Sequence, residues 1–266
     1  MLYKYCDTKG FGILEKSSFR LKRFEDFNDP FELVFGVDED SAPNNIKREY
    51  EENSNIIKDW SRILDNKNIE YDKNSKEDIL NRFTKFIISE FIEIPDFLRK
   101  HWNDTIGIVC LSESMDNIQM WAHYTENHTG IVVGIEESEF VKDRESIITV
   151  CYRDKMVLLL ITSYREDFDR NVYKYLREVL SRKETKWSYE KEIRLYVNLD
   201  EKDIDGYYYT DKIPASSIKE IYLGLRSSED TRLLAKCIKQ KDEYKHLKIF
   251  EMVRHESAYK LIPHEI

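Results

Sequence analysis

The chain has 266 residues, 41% apolar and 13% aromatic, with 35% charged and a formal net charge of −9. That apolar and aromatic content excludes a disordered chain and is enough for a real core, in one large domain or two small ones. Only 8 Gly and 5 Pro exclude a loop-rich or low-complexity chain, and the acidic balance disfavours broad nucleic-acid binding while allowing a local basic patch.

Residues 2–5 read as a short strand, with no apolar leader before them. Residues 18–24 alternate apolar with charged side chains and predict a half-buried strand. In the loop 27–32, Pro30 pushes Asp29 out of the helical region, and Asn28 and Asp29 favour side-chain bonds to the backbone. Residues 44–104 then change texture. Ile56, Ile57, Trp60, Ile63 and Leu64 form one helical stripe, and Ile79, Leu80, Phe83, Phe86, Ile87 and Phe91 form another. Ser75-Lys76-Glu77-Asp78 resembles a capping box. This stretch reads as a helical insertion in a single domain spanning residues 1–266.

Further strands are expected at 106–111, 131–135, 147–152, 193–199, 206–210, 218–223 and 248–254. Helices are expected from 116 to about 124, capped by Asp116 or Ser114, from about 163 to 183, and over 228–242. The apolar run 156–162 suits a strand or a helix core. The class is α+β with a mixed sheet. No apolar run approaches the roughly 18 residues of a membrane span, so a cytoplasmic location is expected. Cys6, Cys110, Cys151 and Cys237 are far apart, without C-x-x-C, and read as buried reduced thiols.

Two polar-aromatic segments could carry chemistry. The first is Met120-Trp121-Ala122-His123-Tyr124, followed by His128-Thr129-Gly130. On a helix Met120, His123 and Tyr124 share a face, and the segment ends at a helix-to-strand turn, where sites often lie. Met120 and Trp121 equally suit an aromatic core. His123 and His128 lack a carboxylate or Cys partner at zinc spacing, so no metal site is expected. The second is Trp187-Ser188-Tyr189-Glu190-Lys191-Glu192-Ile193-Arg194. As a strand it would put Glu190, Glu192 and Arg194 on one face and Tyr189, Lys191 and Ile193 on the other. On a solvated face that is ordinary charge. Trp187 and Tyr189, with Lys183 and Lys186 before them, favour a site where carboxylates beside Arg have tuned pKa values. Asp29 and Glu32 could contribute, although a fixed turn is the simpler role. No Walker A, G-x-G-x-x-G, H-E-x-x-H or G-x-S-x-G motif is present, which removes support for kinase, P-loop, Rossmann, zincin and α/β-hydrolase readings.

The order Leu-Tyr-Lys-Tyr, Phe-Asn-Asp-Pro-Phe-Glu, Cys-Leu-Ser-Glu, Met-Trp-Ala-His-Tyr…His-Thr-Gly, Trp-Ser-Tyr-Glu-Lys-Glu-Ile-Arg and Ile-Lys-Glu-Ile-Tyr-Leu-Gly resembles the bacterial domain-of-unknown-function family 2971, from residue 2 to about 225. More distantly, the layout resembles the ADP-ribosyltransferase superfamily, which implies a mixed or antiparallel split β-sheet core. In that comparison Tyr3 or Lys4 stands on the opening strand, and Tyr124 or Ser112 matches a central Tyr or Ser. Glu190-Lys191-Glu192 matches a Glu-x-Glu at the start of a late strand, and Ile213-Pro214…Ile218…Ile221 continues the pattern. The chain departs from it at Tyr3-Lys4-Tyr5, which has no His.

The resemblance implies an NAD-dependent ADP-ribosyltransferase. It would use NAD as substrate and modify a macromolecular acceptor, protein or nucleic acid. It would act as a toxin or anti-phage effector with a neutralising antitoxin. Glu192, Glu190 and Tyr124 would be catalytic. Tyr3, Lys4, Asn28, Ser112, Trp121, His128, Lys186, Trp187 and Arg194 would bind NAD. Two other readings stay open: a non-catalytic binding or sensor module, and a metal-dependent nuclease or hydrolase using Glu190, Glu192 and His128.

Overall fold

A computed structural model describes residues 1–140, 144–162 and 165–266. In chain order its strands are β1 (Leu2–Cys6), β2 (Phe35–Asp38), β3 (Ile106–Ser112), β4 (Ile131–Ile135), β5 (Ile147–Thr149), β6 (Cys151–Tyr152), β7 (Val157–Leu160), β8 (Arg182–Lys183), β9 (Glu192–Asn198), β10 (Ile218–Leu223), β11 (Lys248–Arg254) and β12 (Leu261–Glu265). The α-helices are α1 (Gly12–Lys16), α2 (Ala42–Glu52), α3 (Ile56–Asn66), α4 (Lys76–Phe91), α5 (Ile94–Thr105), α6 (Ile118–Tyr124), α7 (Glu137–Phe140), α8 (Arg165–Ser181) and α9 (Glu229–Lys239). The class is α+β with a mixed, largely antiparallel sheet. Among the described residues no helix is long and apolar enough to cross a membrane.

The chain forms two compact units. Met1–Phe27, Asn103–Asp154 and Lys183–Ile266 make a sheet unit; Asn28–Trp102 and Lys155–Arg182 make a helical unit. The sheet unit orders its eight strands β12-β11-β10-β4-β1-β3-β9-β5. Among the described residues of this sheet only β10 and β11 run parallel. The alternation of side chains along each strand sorts two faces. One is aliphatic: Leu2, Val133, Leu111, Ile221 and Ile249 bury themselves with Phe11, Leu14 and Ile238. The other is aromatic: Tyr5, Val132, Tyr222 and Met252 pack with Met120 and Trp121 of α6.

Between β1 and β3 the sheet forks. β1 and β3 share one register pair, Tyr3↔Ser112, whereas β1 and β4 share five and β3 and β9 share seven. Past that pair the Lys4 side chain bridges the gap, its Nζ donating to the Cys110 carbonyl at 2.9 Å. Further along the same edge of β3, Lys22 exchanges two backbone bonds with Ile108, at 2.9 and 2.8 Å.

Residues 18–24 are therefore not the expected strand. They make only isolated bridges, Arg20↔Tyr209 and Lys22↔Ile108, because their partners come from two different segments. Residues 206–210 are not a strand either. Gly206, at φ +82°, closes a turn whose N–H bonds Asp203, and Tyr207 and Tyr209 serve as ring platforms for Arg20 and Lys16. The expected strand 147–152 breaks into β5 and β6 at Val150, whose N–H goes to the Glu192 carbonyl.

In the helical unit the two apolar stripes form α3 and α4. They meet at Trp60 and Phe83, whose rings stack 4.6 Å apart, with Ile46, Leu64 and Ile87 around them. The Ser75 hydroxyl accepts from the Asp78 N–H and starts α4. The run 156–162 supplies β7, paired in parallel with β2. The expected helix 163–183 corresponds to α8; residues 163 and 164 lie outside the described residues. All four thiols are free, but Cys151 and Cys237 are exposed. Cys151 shares the outward parity of Thr149, and Cys237 lies off the α9 stripe of Thr231, Ala235 and Ile238.

Candidate functional site

β3 ends at Ser112 and β9 begins at Glu192, and these residues are register partners. Tyr3 pairs with Ser112 on the other side. Directly opposed residues of antiparallel strands point to the same face. Tyr3, Ser112 and Glu192 thus stand in one cross-strand row, at the fork of the sheet.

Glu190 reaches the same place by a different route. Residues Thr185–Glu190 form a 3-10 turn, and Lys191 adopts the left-handed conformation at φ 45°. The strand begins at Glu192, so the expected extended run through 189–191 is corrected. The turn is tied to the loop after β3. The Ser112 hydroxyl donates to the Glu190 carbonyl at 2.6 Å, the Glu113 N–H to the Lys191 carbonyl at 3.1 Å, and Asn117 Nδ2 to the Tyr189 carbonyl at 3.0 Å. Asn117 also caps α6 through the Met120 N–H, in place of the expected Asp116 or Ser114.

The result is a buried ionic cluster. Lys183 Nζ donates to Glu190 Oε2 at 2.6 Å and to Glu192 Oε2 at 3.0 Å. Arg194 grips Glu192 with Nε at 2.9 Å and Nη2 at 3.0 Å. The side chains of Lys183, Glu190, Glu192 and Arg194 are 6%, 4%, 4% and 0% exposed, so they are not solvated surface charge. Tyr124 closes the cluster, its hydroxyl donating to Glu190 Oε1 at 2.5 Å. Tyr152 accepts the Glu192 N–H at 2.8 Å.

Two carboxylates this close repel each other unless a cation lies between them. The Lys183 ammonium between them removes that conflict. Burial by itself would raise the Glu192 pKa, but Arg194 and then Lys183 outweigh it and hold the carboxyl well below the usual range. Burial, and then the Glu190 charge, raise the Tyr124 phenol, so it stays a donor. Burial pushes the Tyr152 phenol up to about 12.

Half-buried rings rim the cluster. Trp187 lies 5.1 Å from Lys183 Nζ and 6.0 Å from the Tyr189 ring. Tyr189 contacts exposed His123 through its hydroxyl at 3.3 Å. The other expected residues are placed differently. Trp121 is fully buried, with Nε1 on the Met115 carbonyl and its ring against Tyr5. Lys186 is 84% exposed and pairs with Glu184. Asn28 belongs to the helical unit and is exposed. In the loop 27–32 the Asp29 carboxylate takes the Phe31 N–H, as a fixed turn requires.

His128 is the last of three consecutive left-handed residues, after Glu126 and Asn127. Its ring stacks on Trp121, and its pKa is lowered by burial and by Arg226. The close packing there needs Gly224, where a Cβ would lie 2.1 Å from the His128 carbonyl oxygen. A cavity of about 430 Å³ opens elsewhere in the sheet unit, lined by Lys16, Asp203, Tyr209 and Lys212; Lys16 pairs with Asp203 there, and it holds none of the expected residues. Among the described residues no group of three His, Cys, Asp or Glu side chains could hold a metal.

Sequence reading misses Tyr152, which sits in an apolar run, and treats Lys183 only as a flanking charge. Both reach the carboxylates through tertiary contacts that no local pattern announces.

Fold and site define an α+β protein with an ionic cluster buried at the start of β9 in a mixed, largely antiparallel sheet. Residues 120–195, which hold both polar-aromatic segments, match the model of a family described as "Protein of unknown function (DUF2971)". No curated protein and no solved structure matches the chain.

Proposed function

We propose that the sheet unit is an NAD-cleaving ADP-ribosyltransferase that modifies a macromolecular acceptor. The observation that carries this reading is the row Tyr3–Ser112–Glu192 across the one-pair junction of the half-sheets. It sets an aromatic ring, a hydroxyl and a carboxylate held ionised by Arg194 and Lys183 in line, with Glu190 beside them.

In the reaction the bond between ribose C1′ and the nicotinamide nitrogen breaks, and its electron pair leaves with neutral nicotinamide. Positive charge develops on the ribose. Glu192, kept anionic by Arg194 and Lys183, stabilises that charge. The acceptor then forms its bond to C1′, and its proton passes to Glu190 and on to solvent. Tyr124 and Lys183 must release Glu190 for this step, because they occupy its two oxygens. Trp187 offers a half-exposed ring for stacking on the nicotinamide or on an acceptor base. A transferase of this kind would serve as a toxin or defence effector and would need a neutralising partner in its own cell.

A binding or sensor module is the second reading, favoured by the fact that each carboxylate oxygen of the pair already has a partner in the protein. A metal-dependent hydrolase fits less well, since the Lys183 ammonium stands where a bridging cation would. The test is nicotinamide release from NAD by purified protein, with cell extract supplying acceptors. Wild type releases it and Glu192→Gln, assayed well below its own melting midpoint, does not. Equal release from both proteins overturns the reading.

A further inference from the structure

The fork holds two more cations that the cluster does not use. Lys4 stands on β1 with Nζ on the Cys110 carbonyl. Lys22 is fixed by its backbone bonds to Ile108, and its ammonium lies 5.2 Å from the Phe27 ring centre. The Arg194 guanidinium lies 5.7 Å from that ring. Both lysines are half-buried. Among the described residues neither ammonium has a carboxylate within ion-pair distance.

This arrangement is electrostatically incomplete. Glu190 and Glu192 are already matched by Lys183 and Arg194, so the charges of Lys4 and Lys22 are left over. Asp26, the other acid whose charge Lys22 senses, accepts the Arg23 N–H. Burial lowers the Lys22 pKa and the nearby Lys4 charge adds to it, against partial relief from Cys110, Glu192 and Asp26. Holding two half-desolvated like charges together costs free energy unless an anion joins them. In a chain of net charge −9, such a place is conspicuous.

We propose that Lys4 and Lys22 form a binding site for the pyrophosphate group of a small nucleotide, at the fork between the half-sheets and beside Glu192. Pyrophosphate spreads its charge over two phosphoryl groups, which matches two ammonium groups on separate segments, each acting as a point charge. The site deepens the transferase reading by assigning the dinucleotide's phosphates, and depends on that reading only for which nucleotide is bound.

The test is calorimetric titration at low and moderate salt with inorganic pyrophosphate, ADP-ribose and adenosine. Wild type binds the first two and not adenosine, and more salt weakens both. Lys22→Gln and Lys4→Gln each lose about tenfold or more in affinity, and Lys22→Arg recovers most of it. Lys22 makes no side-chain hydrogen bond in the protein, so Lys22→Gln keeps the test decisive if Lys4→Gln fails to fold. Absent binding of pyrophosphate by wild type, or equal affinity in Lys22→Gln, overturns the proposal. If pyrophosphate binding follows the lysines while NAD is never consumed, the anion site stands and the transferase reading falls. If NAD is consumed and Lys22→Gln binds pyrophosphate as wild type does, this proposal alone falls.

Discussion

The two units differ in where their ion pairs lie, because the sheet unit withdraws one group of four charges from water. In the helical unit ion pairs lie along helix surfaces: Arg62 with Asp59 is 77% and 65% exposed, and Arg82 with Asp78 is 49% and 33% exposed. Its core is aromatic and apolar, built on Trp60 and Phe83. In the sheet unit Lys183, Glu190, Glu192 and Arg194 are withdrawn from water at the start of β9. Surface pairs contribute little to stability, and buried ones rarely repay their desolvation better than apolar side chains would. A fold that only needed stability could have been built in the sheet unit as it is in the helical unit. The buried cluster is therefore the place where function is the better explanation.

Breaking that contrast should give graded effects. The largest is Glu192→Ala, which strands Arg194 and Lys183 in the interior; a loss of about 3–5 kcal/mol is expected in urea unfolding. Next is Tyr124→Phe, which removes the donor to Glu190 and should cost about 1.5–3 kcal/mol in the same assay. Acid comes third. Glu192 has a depressed pKa in the folded state, so its stabilisation is fully present above the ordinary carboxylate value of about 4.3 and is lost as pH falls below it. The acid side of a stability-against-pH curve should be steeper for wild type than for Glu192→Gln. The smallest effect is Asp59→Asn in the helical unit, where the melting midpoint should not move.

The same contrast explains what the sequence reveals. The stripes of α3 and α4 are legible because one burial face repeats at helical spacing, and β4, β10 and β11 because their apolar runs are short and strong. β12 is hidden by Pro263, which argues against a strand except at an edge, where β12 lies. Residues 18–24 mislead because alternation reports a half-buried extended chain and not which partners it meets. At the site, Glu190 and Glu192 stand out as carboxylates framed by Trp187, Tyr189 and Arg194. Their true arrangement depends on the left-handed Lys191, which no residue type signals, and on Lys183 and Tyr152, which arrive through the fold. Lys22 reads as an ordinary charged position of a strand until the fold brings it to the edge of β3 that Lys4 also meets.

The most direct measurement replaces the whole cluster at once, Lys183→Met, Glu190→Gln, Glu192→Gln and Arg194→Met in one chain. Its unfolding midpoint and its nicotinamide release from NAD are then compared with wild type. An unfolding midpoint at or above that of wild type, with release cut to background, is the predicted result. Undiminished release from this variant, or none from wild type under the same conditions, would contradict the assignment of the cluster as an active site.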